Sequence, residues 1–114
     1  MKRRLDGFNV KEITLYTESD IAPGSPVTVG ENMTAVVPGN NNAFLGICTA
    51  KKGNYVSVAV SGMVTAPFTG SDIELGYNYL ASDGNGKLKF DLSATIETFV
   101  LSIDEKNKLA TILL

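Results

Sequence analysis

Hydrophobic and polar positions alternate in short runs along this chain, and the clearest run lies between Ala43 and Thr65. Phe44 to Cys48 is a continuous apolar segment. After Lys51-Lys52-Gly53-Asn54, the residues Val56, Val58 and Val60 alternate with Ser57, Ala59 and Ser61. A period of two sends one set of side chains into a core and the other set outward. The stretch therefore predicts two buried β-strands joined by the Lys-Lys-Gly-Asn turn. The outward set is small, whereas a solvated strand face normally carries Lys, Glu or Thr. A face of Ser and Ala implies that another strand or subunit lies close against it.

The rest of the chain follows the same grammar of short strands and turns. Residues 1–20 read as a polar N-terminal arm that becomes a strand. Within it Val10 to Tyr16 fits either a short amphipathic helix or an imperfect strand, and the Ile13-Thr14-Leu15-Tyr16-Thr17 end favours the strand. Ala22-Pro23-Gly24-Ser25-Pro26 is a turn cluster. Val27-Thr28-Val29 and Thr34-Ala35-Val36-Val37 are short strands, closed by Gly30-Glu31-Asn32 and by Pro38-Gly39-Asn40-Asn41-Asn42.

The second half repeats this order at a shift of about 52 residues. Ile73-Glu74-Leu75-Gly76 is similar to Ile21-Ala22-Pro23-Gly24, and Tyr79-Leu80-Ala81 to Val27-Thr28-Val29. Asp83-Gly84-Asn85-Gly86 stands for Gly30-Glu31-Asn32, Leu88-Lys89-Phe90 for Thr34 to Val37, and Phe99-Val100-Leu101 for Phe44-Leu45-Gly46. Ala110, Ile112 and Leu114 match Val56, Val58 and Val60. Few identities support this duplication, and chance alternation among strands is the competing explanation. Either way the fold class is all-β: a small β-barrel or sandwich spanning residues 21–114 as one domain, with an extended N-terminal arm. Closure into a barrel would hide sheet edges that otherwise recruit other chains.

Composition narrows the chemistry. With 114 residues and 44% hydrophobic content the chain is about one globular domain long. Met1-Lys2-Arg3-Arg4 runs into Leu5-Asp6-Gly7, not into an apolar run, so neither a signal peptide nor a membrane span is expected. A net charge of -2 gives no electrostatic footprint for nucleic acid. Histidine is absent, which removes Ser-His-Asp and Cys-His mechanisms within one chain. Cys48 is the only cysteine, so no internal disulfide and no cysteine-based zinc site can form, and its apolar strand suits a buried structural thiol.

The remaining motifs are weak. Asp83-Gly84-Asn85-Gly86-Lys87 begins like a calcium loop, but Lys87 stands where a further Asp or Asn is needed and Ala94 stands where a Glu is needed, so it reads as a hairpin turn. The same glycines lack the rest of a P-loop. Thr49-Ala50-Lys51-Lys52 matches the lysine hairpin of biotinyl carrier domains poorly, and Asn32-Met33-Thr34 is an incidental glycosylation pattern. The carboxylate pairs Asp72 with Glu74 and Asp104 with Glu105 sit in turns, where solvated charge is the ordinary role. No catalytic residue, cofactor or metal ligand is assigned, and the chain reads as non-enzymatic.

Several phrases in order carry a resemblance: Pro23 to Val27 as a Pro-Gly-x-Pro-Val strand start, then Ala35-Val36-Val37-Pro38, then Phe44-Leu45-Gly46-Ile47, then Val56 to Val64. With Ile73 to Gly76 and Tyr79-Leu80, this order resembles the capsid decoration, cement or head fibre proteins of tailed bacteriophages. The arm from Met1 to Asp20 is longer than that family's short lead. The resemblance implies a structural virion protein, made in the bacterial host cytoplasm, which binds the outer capsid surface, often as a trimer, and reinforces contacts of the major capsid protein. On that reading Lys2, Arg3 and Arg4 supply charge pairing to the capsid and Leu5 and Phe8 apolar anchors. Phe68, between Pro67 and Gly70, is a second contact candidate, or else a lid on the core. No nucleic-acid or membrane partner is expected. The alternative is a ligand- or carbohydrate-binding β-module on a phage particle, built on an aromatic cluster of Tyr55, Tyr77 and Tyr79.

Overall fold

The computed structural model describes residues 10–94 and 97–114. Among them every regular element is a strand. The first half contributes β1 (Lys11–Tyr16), β2 (Pro26–Glu31), β3 (Thr34–Val36), β4 (Gly46–Lys52) and β5 (Tyr55–Ser61). The second contributes β6 (Met63–Pro67), β7 (Gly76–Ser82), β8 (Leu88–Phe90), β9 (Glu97–Asp104) and β10 (Leu109–Leu113). The first five close into a barrel in the order β1, β3, β2, β4, β5, with β5 returning to β1. The second five form a sheet in the order β6, β10, β9, β7, β8, and a single parallel bridge from Phe68 to Leu88 brings its two edges together.

The Ala43 to Thr65 reading holds in the structure. Lys52 pairs with Tyr55 across a two-residue turn, and Gly53 at its first position has φ of +59°, as a hairpin turn that follows the strand twist demands. Val56 and Val58 belong to the first core together with Leu15, Ile21, Val27, Ala35 and Cys48, and Val60 packs against it. Burying each such valine contributes about 1.5–3 kcal/mol. The small outward face is explained too: Ala59 and Ile47, on the other side of the same hairpin, are buried in the second core with Val64, Ala66, Phe68, Leu80, Val100 and Ile112. The neighbour that the Ser and Ala face implied is the second half of the same chain.

The duplication is visible in the ladders. In the first set Cys48 lies opposite Val58, Ala50 lies opposite Ser57, and Thr49 bulges between them. In the second set Val100 lies opposite Ile112, Ser102 lies opposite Thr111, and Leu101 bulges. The closing contacts repeat as well. Thr17 N–H donates to the Asn54 carbonyl at 2.8 Å, and Phe68 N–H donates to the Lys108 carbonyl at 3.0 Å. Tyr16 meets Thr34 in parallel as Phe68 meets Leu88. The match of Val56 and Val58 with Ala110 and Ile112 stands. The match of Phe99 to Leu101 with Phe44 to Gly46 does not, because the pairing equates Phe99 to Leu101 with Ile47 to Thr49. Phe44 instead precedes β4, as a buried residue of the second core.

Two further readings change. The segment 1–20 is not an arm throughout. Lys11 to Tyr16 is a barrel strand with Leu15 in the core, and Thr17 is buried with its hydroxyl donating to the Ala35 carbonyl at 2.9 Å. The ladder with β5 also decides Val10 to Tyr16 in favour of strand over helix. The region 21–114, read as one barrel, holds most of two strand sets, because each half pairs its strands within itself.

One position tolerates no side chain. A methyl group placed on Gly46 would stand 2.1 Å from the Ala59 carbonyl oxygen and 3.0 Å from Val58 Cγ1, so β4 and β5 approach as closely as they do only because residue 46 is glycine. Gly46→Ala should lower stability by about 3 kcal/mol or more in urea unfolding. Gly53→Ala, where nothing lies within 4 Å and only the positive φ is strained, should cost about 1 kcal/mol. Equal small losses for the two substitutions would refute the close-approach account.

Candidate functional site

Among the described residues, several polar side chains hold turns. Asp83 Oδ1 accepts from the backbone N–H of Asn85 at 2.7 Å and of Lys87 at 3.0 Å, which makes Asp83 to Lys87 the hairpin turn expected between β7 and β8. Asp104 accepts from the Asn107 side chain and backbone, and these bonds hold its carboxyl below the ordinary carboxylate value. Ser93 does the same for Asp91. Glu105 is paired with Lys108 at 3.0 Å. Among the described residues no three carboxylate or thiol groups converge as a metal site would need.

A groove of about 540 Å³ runs between the two strand sets, lined on one side by Val10, Glu12, Ile47 and Thr49 and on the other by Met63, Thr65 and Leu109. Its ionisable side chain is Glu12, whose carboxylate accepts the Thr49 hydroxyl. A hydrogen-bonded carboxylate opposite threonine and methionine, among otherwise mostly apolar lining residues, reads as a packing seam. Cys48, at the floor of the groove, has its thiol pKa raised by burial, with the Sγ donating to the Ala50 carbonyl at 3.5 Å.

The sequence-predicted contact residues fare differently. Lys2, Arg3, Arg4, Leu5 and Phe8 lie outside the described residues. Phe68 is not a surface anchor: it is 1% exposed, bonded through its backbone to Lys108, and covered by the Lys108 ammonium 5.2 Å from the ring centroid. Its flanking Pro and Gly suggested a loop tip, but the seam to Leu88 draws it into the core. The lid reading of Phe68 is the one that the structure shows. Tyr55, Tyr77 and Tyr79 do not form one cluster either. Tyr55 packs edge-on against Tyr16 in the first set, whereas Tyr77 packs edge-on against Phe99 at 4.9 Å in the second.

The surface that does stand out is the outer face of the second sheet. Met63 pairs with Leu113, Leu113 with Phe99, and Phe99 with Tyr77, so four apolar side chains form a row across β6, β10, β9 and β7. Directly paired residues in an antiparallel ladder project from the same face, which makes this row continuous. Tyr77 is 71% exposed and the other three are half-buried. Tyr79, next on this face of β7, is also exposed. Sequence patterning marks these positions as strand residues but not as surface, because both faces of β4 and β5 show that an apolar outward face can be buried. Contiguous apolar surface of this kind marks interaction sites.

In comparisons with known proteins, no family model matches the chain and no curated protein matches it.

If burial in the first core governs Cys48, the native protein should resist Ellman's reagent at pH 8, with full reaction after denaturation in guanidinium. Rapid stoichiometric modification of the folded protein would overturn that placement.

Proposed function

We propose that this protein is a structural, non-enzymatic component of a phage particle that binds the outer surface of an assembled capsid and stabilises it. The observation that carries the reading is the ordered series of phrases from Pro23 to Val64, which resembles the capsid decoration family. Pro26 and Val27 start β2, Ala35 and Val36 lie on β3, Gly46 starts β4, Val56 to Ser61 lie on β5, and Met63 and Val64 start β6, so the phrases fall on or next to strands β2 to β6. The architecture suits the role: two packed strand sets make a stiff body, and the polar groups serve turns, not a catalytic centre. Many weakly bound copies on one shell gain strength together, so no single contact need be strong. The partner is the major capsid protein, and the contact is assigned to the N-terminal segment. Lys2, Arg3 and Arg4 meet acidic capsid surface there, and Leu5 and Phe8 anchor in apolar pockets.

Co-sedimentation with undecorated shells of the encoding phage tests this reading. The wild-type protein should sediment with shells and raise the temperature at which they open. Replacing Lys2, Arg3 and Arg4 by Ala should lower occupancy about tenfold, more at high salt, while the thermal midpoint of the free protein stays unchanged. A protein that ignores shells but is retained on immobilised glycans would instead establish the ligand-binding module.

A further inference from the structure

The turn between β7 and β8 carries two steps into glycine, Asp83-Gly84 and Asn85-Gly86, and Asn85 is the one asparagine of the chain that precedes a glycine. At such a step the backbone nitrogen of the glycine can reach the side-chain carbonyl carbon before it and close a five-membered ring. Glycine leaves that nitrogen unshielded because it has no Cβ, and asparagine is thermolabile. The two steps differ in the structure. The Gly84 N–H donates to Ser82 Oγ at 3.0 Å, and Ser82 is itself buried, with its hydroxyl donating to the Pro38 carbonyl at 2.8 Å. The Asp83 carboxylate accepts the N–H groups of Asn85 and Lys87. Both reacting groups of the first step are therefore engaged. Asn85 is exposed, and among the described residues no hydrogen bond engages its side-chain amide or the Gly86 N–H. The side chains of Asn40, Asn78 and Asn107, by contrast, are held by Lys89, Glu74 and Asp104.

We propose that Asn85 is a site of spontaneous covalent modification in the folded protein, deamidating through attack by its own backbone while the neighbouring Asp83 is protected. The Gly86 nitrogen gives its proton to solvent hydroxide and attacks Asn85 Cγ. The new bond joins that nitrogen to Cγ, the bond from Cγ to Nδ2 breaks, and Nδ2 leaves as ammonia, so that a succinimide spans residues 85 and 86. Water then opens the ring at one of its two carbonyls. Cleavage between the nitrogen and Cγ restores the original backbone with aspartate at 85. Cleavage at the backbone carbonyl leaves an isoaspartyl link, in which the chain runs through the side chain. No oxidant, reductant or enzyme is required.

The two products act differently because of where the turn lies. It packs on the first half of the chain: a Cβ on Gly84 would stand 3.0 Å from the Asn40 backbone nitrogen, and one on Gly86 would stand 3.5 Å from Ser25 Oγ. Beside it, the Asn41 N–H donates to the Ser82 carbonyl and the Ser82 N–H to the Asn42 carbonyl, both at 2.9 Å. The turn is closed by the Asp83 N–H donating to the Lys87 carbonyl at 2.9 Å and the Lys87 N–H donating to Asp83 Oδ1 at 3.0 Å, with Asn85 between these ends. Aspartate at 85 adds a negative charge and leaves this frame intact. The isoaspartyl link adds one carbon to the backbone inside the closed frame, so its closing bonds cannot all persist. Asn85 is in this way a slow clock whose isoaspartyl product loosens the contact of the β7–β8 turn with the first half. The inference does not rest on the shell reading.

Peptide mapping by mass spectrometry, on the full folded chain held over days at pH 8 and body temperature, tests the proposal. Deamidation should appear first at Asn85, as a mixture of aspartyl and isoaspartyl products, and Asn85→Gln should lose it. In a parallel incubation at mildly acidic pH, where aspartyl residues isomerise most readily, Asp83 should stay unchanged in the folded protein and isomerise in guanidinium. The isoaspartyl fraction, separated by chromatography, should unfold at a lower temperature than fresh protein and lose amide protection at Lys87. Freshly made Asn85→Asp should match fresh wild type in both respects, which separates the added charge from the lengthened backbone. The site is overturned if Asn85 stays intact in the folded protein while the denatured chain deamidates there, or if another asparagine reacts first. Isomerisation of Asp83 as fast in the folded protein as in guanidinium would overturn its protection, and an isoaspartyl form as stable as fresh protein would overturn the clock.

Discussion

Successive side chains of a strand point to opposite faces, so a strand can be buried on both sides only if its sequence surrenders the polar half of the alternation. The β4–β5 hairpin does this, and the remainder of the fold is arranged around it. Cys48, Val56 and Val58 fill the first core, while Ile47 and Ala59, one residue away on the opposite face, belong to the second. The hairpin is therefore the common wall of two cores. Its thinness matters as much as its apolarity. Gly46 lets the two strands approach at their closest point, and Ala59 presents only a methyl group to the neighbouring set. Bulkier residues here would separate two hydrophobic cores that are each small for an independent fold.

Much of this was legible in the sequence, and the parts that were not share a physical cause. Strict alternation, as in Val56 to Ser61, carries its own register, so the strand and its inward face could be read directly. The match of Val56 and Val58 with Ala110 and Ile112 followed from the same signal. Continuous apolar runs carry no register. Phe44 to Ile47 could be aligned with Phe99 to Leu101 in more than one way, and only the bulges at Thr49 and Leu101 show which way the ladders choose. The choice between contact and lid for Phe68 was likewise out of reach, because its burial depends on Leu88 and Lys108, which are distant in sequence. Exposure of the Tyr77 row is a property of what packs against it. The alternation that gives Tyr77 and Tyr79 one face cannot say whether that face is wet.

The halves have diverged where their surroundings differ. Positions facing the two cores keep apolar character in both sets, as Cys48 and Val100 do, or Val58 and Ile112. Paired positions on the outer faces differ in size where the first set is buried, with Ala59 against Leu113 and Pro26 against Tyr77. Small residues stand where a neighbouring set presses close, and large ones where the surface is free. Packing at a fixed boundary limits side-chain volume, and an unfilled boundary imposes no such limit.

The two closing seams give the molecule a built-in mechanical polarity. β1 is held on one side by a ladder of six residue pairs with β5 and on the other by a single parallel pair with β3. Tension applied lengthwise through the segment that precedes β1 loads the long ladder in shear, so that its hydrogen bonds share the force and must fail together. Force applied across the barrel falls on the single-pair seam and opens it locally, leaving the wall between the two cores untouched. A protein anchored through the end of β1 is in this way tethered by the longest ladder of its first barrel, while the weak joint is free to yield without releasing the rest.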